Sequence, residues 1–181
     1  MVALLARAFA DDPAMCFIFP DDADRARRLP RLFGMLFDRG GAAGMRLVTA
    51  GGEAATLWRA PGEVHVSRWA MLRTLPRLVG ALGPNLSRAL RVSDAIDMHM
   101  PAGSFWYLHL AGCNPAAQGQ GFGAAAIRSG LRRVAGRWPA YLETATEKNI
   151  GFYSGLGFAV TREWTVSGGG PRFWSMLRPP D

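Results

Sequence analysis

Gln118-Gly119-Gln120-Gly121-Phe122-Gly123-Ala124 lies between an extended apolar run ending near Cys113 and an amphipathic run beginning near Ala125. Its glycines therefore mark a strand-to-helix turn. Without a Cβ, glycine tolerates positive φ and lets the backbone come close to another molecule. A helix that starts at such a turn leaves its first N–H groups unpaired at the positive end of the macrodipole. The two features together make an anion cradle, and a diphosphate is the anion that suits it. A plain flexible turn has the same composition, and short glycine matches also arise by chance. The flanking sequence has to decide.

Two kinds of site use this turn. One is the dinucleotide fingerprint G-x-G-x-x-G/A, which Gly119, Gly121 and Ala124 satisfy, with the acidic Glu143 about 20 residues further on. Against it, the turn lies in the last third of the chain. Too few residues follow for the further parallel crossovers that a two-halved dinucleotide fold needs.

The other is signalled by the neighbouring segments, "WYLHLAGCNPAAQGQGFG" (Trp106–Gly123) and "YLETATEKNIGFYSGLGFAV" (Tyr141–Val160). Both resemble the Gcn5-related N-acetyltransferase superfamily, whose central motif Q/R-x-x-G-x-G/A is met by Gln118, Gly121 and Gly123. The superfamily's next motif, an asparagine, then Phe-Tyr, then Gly-Phe, is met by Asn149, Phe152-Tyr153 and Gly157-Phe158. "ARAFADDPAMCFIFPDD" (Ala6–Asp22) and "ATLWRAPG" (Ala55–Gly62) are similar to the front half of a bacterial and fungal subgroup. Such enzymes begin with a β-strand, whereas this sequence opens within what reads as the first helix, so the first strand is expected to be missing.

The resemblance implies an α/β fold, a mixed twisted sheet with splayed central parallel strands, in which acetyl-CoA is the acyl donor and no metal is needed. It implies that Gln118, Gly119, Gln120, Gly121, Phe122, Gly123 and Ala124 hold the pyrophosphate. The strand edge at Ala111–Cys113 would pair with the pantetheine arm as an added strand would, and Asn149 would reach the same arm or cap the short helix that follows. A backbone N–H near Leu110 or Ala111 would stabilise the oxyanion. Tyr153 matches the tyrosine that protonates the departing thiolate, a phenol being protonated at neutral pH. Packing under the Gly157-Phe158 turn would also account for it. His109, four residues before Cys113, stands where related arylalkylamine acetyltransferases carry a histidine proposed as general base, and imidazole titrates in the right range. Glu143 offers a second base, or a simple strand end. His65 and His99 have no such register.

The composition sets bounds on this reading. With 181 residues, 49% of them hydrophobic, one well-buried domain over residues 1–181 is expected. Cys16 and Cys113 sit far apart in apolar stretches, as packing residues of an intracellular protein do. The stretch Met1–Ala10 is broken by Arg7 and followed by Asp11-Asp12-Pro13, unlike a signal peptide. No run approaches the roughly 20 apolar residues of a membrane span, so no membrane partner is expected and the cytoplasm is the expected location. The net charge of +7 is almost all arginine, Lys148 being the sole lysine. Without interleaved aromatics this argues against nucleic acid, and it would favour the phosphates of coenzyme A.

Periodicity places the elements. Val2, Leu5, Ala6 and Phe9 predict a helix closed by Pro13, and Asp22–Asp38 a second one, kinked or split at Pro30. Met45–Ala50 and Ala54–Arg59 predict a hairpin through Gly51-Gly52. Glu63–Met100, with Trp69, Leu72, Leu75 and Leu78, reads as helical, either a pair packed on the sheet or a cover over the acceptor side of the cleft. Phe105–Cys113 and Tyr141–Thr144 predict parallel strands joined by a helix that buries Ile127, Leu131 and Val134. Asn149–Leu156 reads as a short helix, with Phe158–Thr165 and Phe173–Leu177 as a closing hairpin. The expected activity is transfer of an acetyl (acyl) group from acetyl-CoA to a primary amine of a small molecule or peptide, by direct attack in a ternary complex. A non-catalytic coenzyme A sensor and a nucleotide-cofactor oxidoreductase are the alternatives. A homodimer is left open.

Overall fold

A computed structural model describes residues 1–39, 44–63 and 76–180. The predicted positions His65, Trp69, Leu72 and Leu75 lie outside the described residues. The elements in order are α1 (Val2–Ala8), α2 (Pro13–Ile18), α3 (Asp22–Arg39), β1 (Met45–Val48) and β2 (Ala54–Arg59). Helical residues 76–82 (α4) follow. Then come α5 (Leu86–His99), β3 (Trp106–Cys113), α6 (Phe122–Val134), β4 (Ala140–Thr144), α7 (Asn149–Ser154), β5 (Ala159–Thr165) and β6 (Arg172–Arg178).

The six strands of the described residues form one sheet in the order β1-β2-β3-β4-β6-β5. Among the described residues only β3 and β4 run parallel; the other neighbours are antiparallel. One parallel pair cannot build a doubly wound dinucleotide fold, which removes the rival reading of the glycine turn. Among the described residues α1 is the first element, and the short β1 forms one edge of the sheet. Among the described residues no helix is long and apolar enough to cross a membrane.

Two irregularities shape the middle of the sheet. Pairing of β2 with β3 steps from Leu57↔Leu110 to Trp58↔Leu108, so His109 is an extra residue on its strand, a β-bulge. The bulge reverses the side-chain alternation. Leu108 joins Ile127 and Leu131 on the α6 side, whereas Leu110 joins Leu5, Phe33 and Leu57 on the α1 and α3 side. The second irregularity is the β3–β4 ladder, which comprises Trp106↔Ala140 and Tyr107↔Tyr141 and no further pair. Beyond it the parallel strands part, as the splayed sheet requires.

Two expectations about the helices are corrected. α3 runs unbroken through Pro30. Its buried stripe of Leu29, Leu32 and Phe33 packs in the core chiefly against α1 and holds the helix together across the lost hydrogen bond. Pro13 does not merely end α1. It occupies the first turn of α2, where a missing N–H is harmless, and Asp12 caps that helix by accepting from Ala14 N at 2.9 Å and Met15 N at 3.2 Å.

Candidate active site

The glycine turn stands where β3 hands over to α6. Gly119 and Gly121 adopt φ of +77° and +84°, and a Cβ at either would meet nothing within 4 Å. Their backbone conformation, rather than crowding, is what calls for glycine. Gly121 is the N-cap residue of α6. The first-turn N–H groups have no acceptor inside the helix and are presented where α6 borders a cleft of about 890 Å³.

That cleft brings together most of the residues singled out in the sequence. Ala111 and Cys113 from β3 line it, followed by Gln118, Gly119, Gly121, Phe122, Gly123 and Ala124 from the turn. Asn149 and Tyr153 line it from α7. Gln120 does not; it is exposed, its Nε2 donating to Ala116 O at 3.4 Å. His109 also lies outside the lining.

Asn149 is not the cap of α7. Lys148 holds that position, while Asn149 is the first helical residue and its Nδ2 donates to Thr144 Oγ1 at 3.3 Å, tying α7 to the end of β4. The backbone bonds from Asn149 N to Thr146 O and Ile150 N to Glu147 O already satisfy that turn. Tyr153 is 8% exposed, with its ring edge-on to Phe152 and Phe158. Burial first, then the nearby charges of Glu143 and Asp12, hold its phenol above its ordinary value, so it is protonated at any working pH. Burial likewise keeps the Cys113 thiol neutral.

One group of lining residues has no counterpart in the sequence reading: Arg7, Ala8, Phe9, Asp11 and Asp12, from α1 and the turn after it, also line the cleft. They are there because α1 lies close on β3. A Cβ at Gly112 would come within 2.9 Å of Leu5 Cδ2 and 3.0 Å of Ala8 Cβ. A glycine inside a strand is the sequence signal for such an approach. Lys148 and Thr146 complete the rim near α7.

On the face of β3 and β4 away from α6 lies a second polar group. The Tyr107 hydroxyl donates to Glu143 Oε1, and Arg59 Nη2 lies 3.1 Å from His109 Nε2. Arginine can only donate, so Nε2 accepts and the neutral ring carries its proton on Nδ1. Burial and then the Arg59 charge push the His109 pKa well below its usual value, which keeps the ring neutral. Burial raises the Glu143 carboxyl to about 7, against the downward pull of the Tyr107 hydrogen bond and Arg59 and with an upward push from Asp97. The ionisation of Tyr107 is driven far upward, by burial and then by Glu143.

No protein-family model matches the chain. Among solved structures, the histone acetyltransferase HPA2 and related acetyltransferase of Corynebacterium glutamicum is 26% identical, with a TM-score of 0.74 over 99% of this chain and 89% of that one. The arylalkylamine N-acetyltransferase 2 of Aedes aegypti is 10% identical, with a TM-score of 0.60 over 99% and 94% of the two chains, a likeness of fold. The polyamine N-acetyltransferase of Drosophila melanogaster is 13% identical, with a TM-score of 0.51 over 97% and 90%, again a likeness of fold. A splayed mixed sheet whose central glycine turn opens α6, matched across nearly its whole length by the corynebacterial acetyltransferase, makes this chain a member of the Gcn5-related N-acetyltransferase superfamily of acyltransferases.

Proposed function

We propose that the chain, acting as one unit over residues 1–181, moves an acetyl (acyl) group from acetyl-CoA to a primary amine of a small molecule or peptide by direct attack in a ternary complex. The observation that carries this reading is a single cleft containing both an anion cradle, the positive-φ turn at the start of α6, and a buried phenol, Tyr153, beside parting parallel strands.

Each wall has a task in that reaction. The amides at Gly119–Ala124 would receive the pyrophosphate, with Lys148 and Arg7 adding positive charge at the rim. The free edge of β3 at Ala111–Cys113, past the last pair with β4, would take the amide-bearing pantetheine arm as an added strand and direct a backbone N–H at the thioester oxygen. Tyr153, fixed as a neutral phenol, would donate its proton to the departing thiolate. His109 and Glu143 stand on the other face of the split, where an amine nitrogen would lose its proton.

Thermal-shift titration with acetyl-CoA, coenzyme A and NADH tests the donor assignment. Stabilisation by the first two and not by NADH is expected. Thiol release from acetyl-CoA with a panel of primary amines then tests catalysis. Acetyl-CoA binding without thiol release from any amine would make the chain a coenzyme A sensor, and no response to acetyl-CoA would refute the assignment of the cleft.

A further inference from the structure

The chain has 21 lysines and arginines, and Lys148 alone among them is a lysine. It is exposed on the lining of the cleft, beside Thr146, Asn149 and Tyr153. Its place does nothing for the local fold. Lys148 is the N-cap of α7, makes no capping hydrogen bond, and sets a cation against the positive end of that helix, where aspartate, serine or asparagine would stabilise it. Among the described residues no carboxylate pairs with it. Positive charge for phosphates is supplied at least as well by arginine, which the chain uses everywhere else and which grips phosphate at two points. What lysine has and arginine lacks is a primary amine that becomes a nucleophile once deprotonated.

We infer that Lys148 is an internal acceptor: with acetyl-CoA in the cleft and no free amine beside it, the chain acetylates its own Lys148. This rests on the acyltransferase reading above. Tyr153 follows on the same helix, about 7.5 Å further along its axis, and helical side chains lean back toward the N-terminus, which inclines the phenol toward the Lys148 end. In the step, the ammonium first gives one proton to water at the open rim. The neutral Nζ then bonds to the thioester carbonyl carbon, the C–S bond breaks, and the Tyr153 hydroxyl proton goes to sulfur. A second nitrogen proton returns to Tyr153 through solvent, leaving an acetamide on Lys148 and a free thiol.

A tethered amine meets a donor bound in the same cleft at an effective concentration on the order of millimolar. The rate then follows occupancy of the cleft and not encounters between chains. Acetylation removes the charge and leaves a neutral amide in the lining. The start of α7 loses an unfavourable cation, whereas the phosphates of the next acetyl-CoA lose a favourable one. Donor binding should weaken about two- to fivefold, as the loss of one exposed charge pair implies. The reaction is thereby self-limiting: acetyl-CoA without an acceptor turns down the site that holds it.

The test is intact-mass spectrometry of wild type incubated with acetyl-CoA and no amine, with peptide mapping to separate Lys148 from the α-amine. One acetyl group, a gain of about 42 Da, should appear on Lys148. Labelling should saturate with acetyl-CoA, slow when coenzyme A is added in excess, and fall about 10²-fold in Tyr153→Phe. Chemical acetylation of an exposed lysine would do none of these. The rate constant should also be independent of protein concentration; a rate proportional to it would mean transfer between chains and overturns the internal assignment. Calorimetry should show acetyl-CoA bound more weakly by the labelled chain than by the fresh one, and Lys148→Gln should reproduce that loss. Should Tyr153→Phe fail to fold by far-UV circular dichroism, saturation with acetyl-CoA and protection by coenzyme A decide instead. Wild type that acetylates the amine panel while Lys148 stays unmodified, or is modified equally in Tyr153→Phe and in excess coenzyme A, overturns the inference and leaves the acyltransferase reading standing. Wild type that binds no acetyl-CoA overturns both.

Discussion

Gly130, on the buried face of α6, sits directly on the indole of Trp58. A Cβ there would lie 2.5 Å from Trp58 Cε2 and Nε1 and 2.6 Å from Cζ2. Carbon atoms in contact prefer roughly 3.5–4.0 Å, so Gly130→Ala requires the indole or the helix to move by about 1 Å. The indole has nowhere to go. Trp58 is 0% exposed, packed among Ile127, Leu131 and Leu142, and its Nε1 donates to Thr56 Oγ1 at 3.1 Å. Overpacking of this kind costs about 1–3 kcal/mol, and the helix propensity gained from alanine returns up to about 1 kcal/mol. The net expectation is a loss of about 1–2 kcal/mol, a fall in Tm of roughly 2–8 °C for a chain of this size. Gly34→Ala is the internal control, because Gly34 also lies within a helix but a Cβ there would meet nothing within 4 Å. It should gain about 0.5–1 kcal/mol. Thermal denaturation of both variants by circular dichroism makes the comparison. Because α6 carries the glycine turn at its N-terminus, Gly130→Ala should also weaken acetyl-CoA in calorimetry, whereas Gly34→Ala should leave it unchanged. Equal stabilisation by the two substitutions would refute the packing argument.

Gly121→Val places a β-branched side chain at φ +84° on the N-cap of α6, where the pyrophosphate is proposed to bind; acetyl-CoA affinity should fall with near-unchanged circular dichroism, and unaltered affinity would remove the turn from the site. Tyr153→Phe keeps the ring contacts with Phe152 and Phe158 and deletes the proton donor, so kcat should drop by about 10²-fold while acetyl-CoA binding persists; an undiminished kcat would make Tyr153 structural. Glu143 also affects stability. Its carboxyl is raised from an ordinary 4.5 to about 7, so the folded chain binds more protons than the unfolded one between those values, and stability falls as pH rises through that window. The full loss is about 3 kcal/mol. Denaturant titrations at pH 5 and pH 8 should show that fall in wild type and a flatter dependence in Glu143→Gln.

What the sequence disclosed was whatever depends on near neighbours in the chain. The glycine turn, the helix face of Ile127, Leu131 and Val134, and the α7 segment with Tyr153 are local patterns, and the structure places these segments around one cleft. What it concealed depends on partners far away. The turn carrying Asp11 and Asp12 reaches the cleft only because Gly112, about a hundred residues later, admits α1 against β3. Pro13 reads as a stop, yet with Asp12 before it the same residue starts α2. Asn149 reads as a cap because asparagine often is one, but Thr144 at the end of β4 claims its side chain. In each case the residue type was informative and its partner was out of sight.

The bulge at His109 is the clearest instance, and it carries the functional argument. Read as a uniform strand, β3 would put Leu108 and Leu110 on one face and Tyr107, His109 and Ala111 on the other. With one residue unpaired, Leu108 and Ala111 instead meet the α6 core, while Leu110 meets α1 and α3 and Tyr107 stays beside Tyr141. A single strand thereby supplies an edge toward the cleft of the glycine turn and a buried polar cluster on the other face, with the split from β4 between them. Restoring the pairing by deleting His109 would turn Ala111 and Cys113 to the other face. Acetyl-CoA binding should then be lost together with the polar cluster. Replacing the residue without changing the count, as in His109→Gln, should keep acetyl-CoA binding. Loss of that binding in both variants would mean that the imidazole, rather than the extra residue, holds the strand in its split geometry.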